Sequence, residues 1–125
     1  MPILIPGHTP GSLAFIFPVY DRGKRHMVGM EGAFPLLGAA NLPVPQLKNV
    51  IATTDHFAEY AKKMHVDVSI TDHNVWDNFD AKTAKLKDRK PGDPNPFVVG
   101  EASYQRLLKI MDECAEAQIA RNSKD

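Results

Sequence analysis

The sequence predicts a single α/β domain spanning residues 1–125, and three observations support this fold class. Short apolar runs are bounded by Gly and Pro, which is typical of strands. Two longer segments repeat apolar residues every three or four positions, which is typical of amphipathic helices. The length corresponds to one domain with a core of moderate size.

The first strands are expected at residues 2–5 and 12–17, which are apolar segments beside Pro and Gly turns. The second of them contains no charged residue, so we expect it to be covered on both faces. A polar turn containing Gly23 follows, and residues 26–30 form the hairpin partner. We expect His26, next to two basic residues at the turn, to be exposed and to bind no metal.

The first helix is predicted from Gln46 to His65, because one face of this segment is apolar. The residues of that face are Leu47, Val50, Ile51, Phe57, Ala58, Ala61 and Met64. Pro45 suits the first turn, and His65 at the end would complement the helix dipole. Asp55 and His56 are adjacent and would point about 100° apart, so they are not expected to form a ligand pair.

The second half of the chain predicts a strand and two further helices. Residues 67–71 form the strand, and residues 74–89 form a short helix whose first N–H groups could be capped by Asp77. Residues 90–96 contain three prolines and form a loop. The last helix begins at Gly100 or Ser103, and its covered side is marked by Tyr104, Leu107, Leu108, Met111, Cys114, Ala115 and Gln118.

Composition excludes several classes of function. Lys and Arg total 15 and Asp and Glu total 15, so no strong field would recruit nucleic acid or an anionic membrane. The single Cys114 excludes an internal disulfide and is expected to be a buried apolar residue. No apolar run approaches the ~20 residues of a membrane span, and the first five residues are too short for a signal peptide. We therefore expect a soluble chain, and its localisation stays open.

A histidine loop is the most informative stretch. His8 lies in the segment Pro6-Gly7-His8-Thr9-Pro10-Gly11-Ser12, between two turns and directly before an apolar strand. Proline fixes φ, glycine permits angles closed to other residues, and the hydroxyl groups can bond to local backbone. Such a loop would hold the imidazole in one orientation, as is required of a side chain that ligates a metal.

This loop resembles the third-histidine loop of the metallo-β-lactamase superfamily, whose members are zinc hydrolases with an αβ/βα sandwich. Two later segments are similar to that superfamily as well. Residues 67–73 resemble its last metal-ligand strand, and residues 89–100 with the following helix resemble relatives close to the third subclass of metallo-β-lactamases. The resemblance covers nearly the whole chain, but only the carboxyl-terminal half of the family's fold. It implies half of the sandwich, a mixed sheet with helices on one face.

The resemblance also implies site residues. His8 and His73 match metal ligands, and Glu31 closes a strand near the place of a bridging carboxylate in two-metal members, although a surface carboxylate is the alternative. Zinc would be the cofactor. The family's His-x-His-x-Asp-His motif is absent from this sequence, so the site is incomplete in this chain. The apolar segment 32–45 would flank the active-site groove of the family. Its residues Phe34, Leu36 or Leu37 would either contact substrate or pack on their own domain.

A half-sandwich leaves one sheet face without a cover. We therefore expect a homodimer or association with a complementing amino-terminal half. Two functions remain open at this point. The chain is either the carboxyl-terminal half of a zinc-dependent hydrolase, incomplete by itself, or a half-domain without catalytic activity that dimerises or binds a partner.

Overall fold

The computed structural model describes residues 1–31, 42–74 and 76–123. These residues form an α/β fold with one mixed sheet and helices on one of its faces, as the sequence predicts. The elements are β1 (Pro2–Leu4), β2 (Leu13–Asp21), β3 (Lys24–Glu31), α1 (Val44–Lys63), β4 (Val68–Thr71), α2 (Phe79–Lys87) and α3 (Glu101–Asn122).

The sheet has the strand order β1-β2-β3-β4. Strands β1, β2 and β3 pair antiparallel, and β4 is parallel to β3. The β2–β3 hairpin turns through Arg22 and Gly23, which both have positive φ, as a tight two-residue hairpin turn requires. Because β1, β3 and β4 run in the same direction, their carboxyl ends lie at one edge of the sheet, which we call the carboxyl-terminal rim.

The two faces of the sheet differ in burial. Ile3, Ala14 and Ile16 are buried on the face that the helices cover. On the opposite face Leu4 is 56% exposed, and Leu13 and Phe15 are each 39% exposed. The expectation that residues 12–17 are covered on both faces is therefore wrong for this chain by itself, because Leu13 and Phe15 stay exposed on the second face.

The core lies between the sheet and helices α1 and α3. Its helical side chains are Phe57 and Ala61 of α1 and Tyr104, Leu108 and Met111 of α3. Pro45 lies in the first turn of α1, which begins two residues earlier than predicted, at Val44. Within the described ranges, none of the helices combines the length and the apolar character needed to cross a bilayer.

The covered side of α3 is narrower than predicted. Its buried residues are Tyr104, Leu108, Met111 and Ala115, which follow one another at spacings of four, three and four. Cys114 is exposed, and Leu107 is 40% exposed. Each precedes a buried residue by one position and so points about 100° away from it, and the predicted burial of Cys114 is wrong.

Helix α2 is also shorter than predicted, and it begins at Phe79 after a left-handed Asn78. Asp77 does not cap it, because its Oδ2 accepts a hydrogen bond from the backbone N–H of Thr71 in β4 instead. The side chain of His65 lies beyond the end of α1, where its Nδ1 is 3.0 Å from a carboxylate oxygen of Glu101. For Asp77, the contact with β4 thus replaces the expected cap of α2.

His26 is buried, not exposed as expected. Its Nδ1 lies 2.6 Å from Oδ2 of Asp67, and Oδ1 of Asp67 accepts the backbone N–H of Met27 at 2.9 Å. This carboxylate joins β3 to the segment that leads into β4. The sequence neighbours of His26 are basic, but its side chain lies on the other side of the strand from that of Arg25, because successive strand residues point to opposite faces.

We expect Asp67→Ala to lower the free energy of unfolding by about 2 kcal/mol, because a buried ring nitrogen and a backbone N–H lose their acceptor. Urea unfolding would measure the change. The matched control is Asp72→Ala, since Asp72 is an exposed aspartate five residues away. Equal losses in the two variants would show that the Asp67 contacts do not stabilise the fold.

Candidate functional site

The loop that carries His8 follows β1 and is closed by its own hydrogen bonds. Thr9 Oγ1 and Ser12 Oγ lie 3.0 Å apart, and the N–H of Thr9 donates to Ser12 Oγ at 3.1 Å. The N–H of Gly7 donates to the carbonyl of Thr9, and the N–H of Ile5 donates to the carbonyl of Ser12. The predicted stiffness of this loop therefore has a visible cause.

Helix α1 holds the same loop from the other side. Gln46 Nε2 donates to the carbonyl of Gly7 at 2.9 Å, and Asn49 Nδ2 donates to the carbonyl of Pro6 at 2.6 Å. A surface depression of about 310 Å³ lies here, and His8 lines it. The imidazole is exposed, so it is accessible to a ligand from outside the chain.

His73 lies in the loop that follows β4. Its carbonyl accepts a hydrogen bond from Thr71 Oγ1 at 2.7 Å and another from the backbone N–H of Trp76 at 3.1 Å. Its ring stacks on the indole of Trp76, with ring centroids 6.1 Å apart and an interplanar angle of 29°. The imidazole is exposed like that of His8, and its orientation is supported by the aromatic neighbour.

Glu31 ends β3 at the carboxyl-terminal rim, but its side chain is only 7% exposed. It pairs with Ala14 across the sheet and shares the helix-covered face with it. A small cavity beside it is lined by Gly7 of the His8 loop and by Val50 and Phe57 of α1. Glu31 thus points into the helix layer, and its Oε1 has no hydrogen-bond partner among the described residues.

Burial raises the pKa of Glu31 to about 8, and the nearby negative charge of Asp112 adds to the shift. Burial also raises the pKa of Asp112 to about 6, with a further contribution from Asp55 of α1. Glu31 belongs to the sheet, Asp112 to α3 and Asp55 to α1, so the interacting carboxyl groups come from three elements. At pH 7 Glu31 is protonated and uncharged, and a protonated carboxyl group is a poor ligand for a metal ion.

The topology brings the predicted ligands to one side of the sheet without forming a metal site. His8 follows β1, Glu31 ends β3 and His73 follows β4, so all three lie at the carboxyl-terminal rim. Among the described residues no group of three or more His, Cys, Asp or Glu side chains could hold a metal ion. A catalytic zinc commonly has three protein ligands. The residues of this chain therefore do not by themselves fit a zinc site.

Sequence reasoning did not identify Asp112 as a neighbour of Glu31, or Asp55 as a neighbour of Asp112. Asp112 lies beside the buried Met111 on α3, and in sequence it has the pattern of an ordinary surface acid. Only its proximity to Asp55 of α1 in the folded chain distinguishes Asp112 from other surface acids. The predicted substrate contacts of Phe34, Leu36 and Leu37 lie outside the described residues.

No protein-family model and no curated protein matches the sequence. Solved structures do match. The chain is similar to a subclass B3 metallo-β-lactamase of Bradyrhizobium japonicum, with a TM-score of 0.63 and 23% identity over 97% of this chain and 46% of that one. It is also similar to a metallo-β-lactamase from Legionella gormanii, with a TM-score of 0.73 and 17% identity over 100% of this chain and 47% of that one.

A third match is a motif mutant of a metallo-β-lactamase from Cronobacter sakazakii. Its TM-score is 0.67 and its identity 20%, over 99% of this chain and 46% of that one. The chain therefore spans about half the length of the structures that it matches. At these identities the similarity shows the fold, and it agrees with the resemblance inferred from the His8 loop.

Proposed function

We propose that this chain, which has the fold of one half of a metallo-β-lactamase, provides the carboxyl-terminal half of a zinc-dependent hydrolase. Such an enzyme would cleave an amide, ester or thioester. The observation that carries the proposal is that two exposed histidine loops lie at the same carboxyl-terminal rim, one after β1 and one after β4, which are the two outer strands of the sheet. Both imidazoles are exposed, and hydrogen bonds hold the loop that carries each of them.

The hydrolase is incomplete without a second half. His8 and His73 are two ligands, and the remaining ligands must come from another polypeptide segment. Zinc would supply a Lewis acid that activates water for attack on a carbonyl carbon. The part played by this chain is to hold two imidazoles at the carboxyl-terminal rim, where they would be ligands of the metal.

The exposed sheet face fits the same proposal. Leu4, Leu13 and Phe15 form an apolar surface on the side opposite the helices, where the second sheet of a sandwich would pack. In the matched structures slightly more than half of the chain lies outside the aligned region. We infer that an amino-terminal half with a complementary apolar sheet is the partner that covers this surface.

We expect zinc binding to depend on both histidines. In equilibrium dialysis against zinc, His8→Ala and His73→Ala should each lose bound metal, because each removes one of only two imidazole ligands. His56→Ala is the matched control, since His56 is exposed on α1, where its ring contacts Tyr60 edge-on. Mass spectrometry of the dialysed protein would measure the metal content.

Retention of zinc in both ligand variants would contradict the proposal. If the unsubstituted chain, which holds only part of the ligand set, binds no zinc, circular dichroism would show whether its fold is intact. An intact fold without metal would favour the alternative function, a half-domain without catalytic activity.

The alternative has an observation in its favour, which is the same apolar sheet face. Two copies could cover it around a two-fold axis and so imitate the complete sandwich. We expect light scattering to return a mass above that of the 13.9 kDa monomer, and Phe15→Ser to restore the monomer. Tyr20→Ser is the control, because Tyr20 is an exposed aromatic residue of the same strand with its side chain on the other face. A monomeric unsubstituted chain would exclude self-association.

A further inference from the structure

A second cavity, of about 370 Å³, lies between β4, helix α3 and the segment around Trp76. Its volume falls within the range of small-molecule sites, which begins at about 300 Å³. The walls are mostly apolar and include Trp76, Val99, Leu107 and Met111. Neither His8 nor His73 lines it, and of the three candidate metal ligands only Glu31 does.

Two carboxyl groups at this cavity have an unpaired oxygen. Glu31 and Asp77 both line it, and neither Glu31 Oε1 nor Asp77 Oδ1 has a hydrogen-bond partner among the described residues. The other oxygen of Asp77, Oδ2, accepts from the backbone of Thr71. Buried acceptors without a donor cost free energy, and native proteins contain few of them. Rotation about the last torsion, which is soft for a carboxyl group, would turn these oxygens toward the cavity.

The only basic side chain among the described residues of the lining is that of Lys82. Its Nζ lies 5.3 Å from the centroid of the Phe97 ring, so its charge is directed at an aromatic face. The lining also carries hydroxyl groups, among them those of Ser103 and Tyr104, but no described donor pairs with Glu31 Oε1 or Asp77 Oδ1. A cationic donor would be a strong partner for an ionised carboxyl group.

We propose that this cavity binds a small primary amine with an apolar body, such as an arylalkylamine. The ammonium group donates to Glu31 and Asp77, and the apolar body packs against Trp76, Leu107 and Met111. The proposal uses neither histidine loop and shares only Glu31 with the candidate metal ligands.

The test uses 2-phenylethylamine as the probe and the fluorescence of Trp76 as the readout, because Trp76 is the single tryptophan of the chain and lines the cavity. We expect a saturable change with the amine and a Kd at least about tenfold weaker in Asp77→Asn, as for the loss of a charge-assisted hydrogen bond. Asp80→Asn, which changes an exposed aspartate of α2, should bind like the unsubstituted chain.

One uncharged analogue and one anionic analogue complete the test. We expect 2-phenylethanol to bind at least about tenfold more weakly than the amine, and 3-phenylpropanoate to give no saturable change. No saturable response to the amine would overturn the proposal, as would equal affinity for all three compounds. Unchanged amine affinity in Asp77→Asn would also overturn it, and this variant leaves the protein core untouched because Asp77 lies in the partly exposed turn before α2.

Discussion

At pH 8 the variant Glu31→Gln should be more stable than the unsubstituted chain by about 4 kcal/mol, and at pH 4 the two should be nearly equal. The reason is the raised pKa of Glu31, which moves from 4.5 to about 8 because the carboxyl group is buried. One pKa unit corresponds to about 1.4 kcal/mol. The uncharged amide of glutamine has no proton to lose and avoids this cost.

The sign follows from the protons bound in each state. Below pH 4.5 the carboxyl group is protonated in both the folded and the unfolded chain, so it contributes no pH dependence. Between pH 4.5 and about 8 the unfolded chain has lost the proton and the folded chain keeps it, so the free energy of unfolding falls as the pH rises. Above about pH 8 both states are ionised and the loss is complete.

Urea unfolding at several pH values would measure this slope. Glu59→Gln is the matched control, because Glu59 is exposed on α1, and it should leave the slope unchanged. Asp112 adds to the slope in the same direction between pH 3.8 and about 6, so a remainder should persist in Glu31→Gln and shrink further when Asp112→Asn is added. A stability that is flat from pH 5 to pH 8 would contradict the burial of an unpaired carboxyl group.

The substitution Gly29→Ala should lower the free energy of unfolding by about 3 kcal/mol. Gly29 lies in β3 beneath Tyr104 of α3, which is buried. A Cβ at this position would lie 2.5 Å from Tyr104 Cζ and 2.9 Å from Val66 Cγ1, far inside ordinary contact. Both neighbours are packed in the core, so either the ring or the strand must move, and overpacking of this kind costs about 1–3 kcal/mol or more.

Thermal or urea unfolding would measure the effect, and Gly11→Ala provides a control because no atom lies within 4 Å of its added Cβ. Adding Tyr104→Phe to Gly29→Ala should recover part of the loss, since the hydroxyl group is one of the atoms that the new methyl group displaces. If Gly29→Ala unfolds like Gly11→Ala, then helix α3 does not pack on the sheet as closely as described.

The half-sandwich was implied by the resemblance of the His8 loop and of two later segments, whereas the fold class and most strands and helices were predicted from residue patterns alone. Local chemistry explains why. Pro6, Gly7 and Pro10 specify a stiff loop by their own backbone limits, and the apolar spacing of α1 specifies its buried face before any partner is known. The exposed surface at Leu13 and Phe15 overturns the expected cover on both faces of residues 12–17, and it agrees with the uncovered sheet face that the resemblance implies.

Tertiary structure decided the properties that depend on a distant neighbour. Burial of His26 follows from Asp67, which lies 41 residues away, and the raised pKa of Glu31 follows from its burial against the helices and from Asp112 on α3. A one-residue difference in helical phase places Cys114 outside and Ala115 inside. Such outcomes depend on which elements meet, because the solvation of a charged group and the space beside a backbone are set by all the surrounding atoms together.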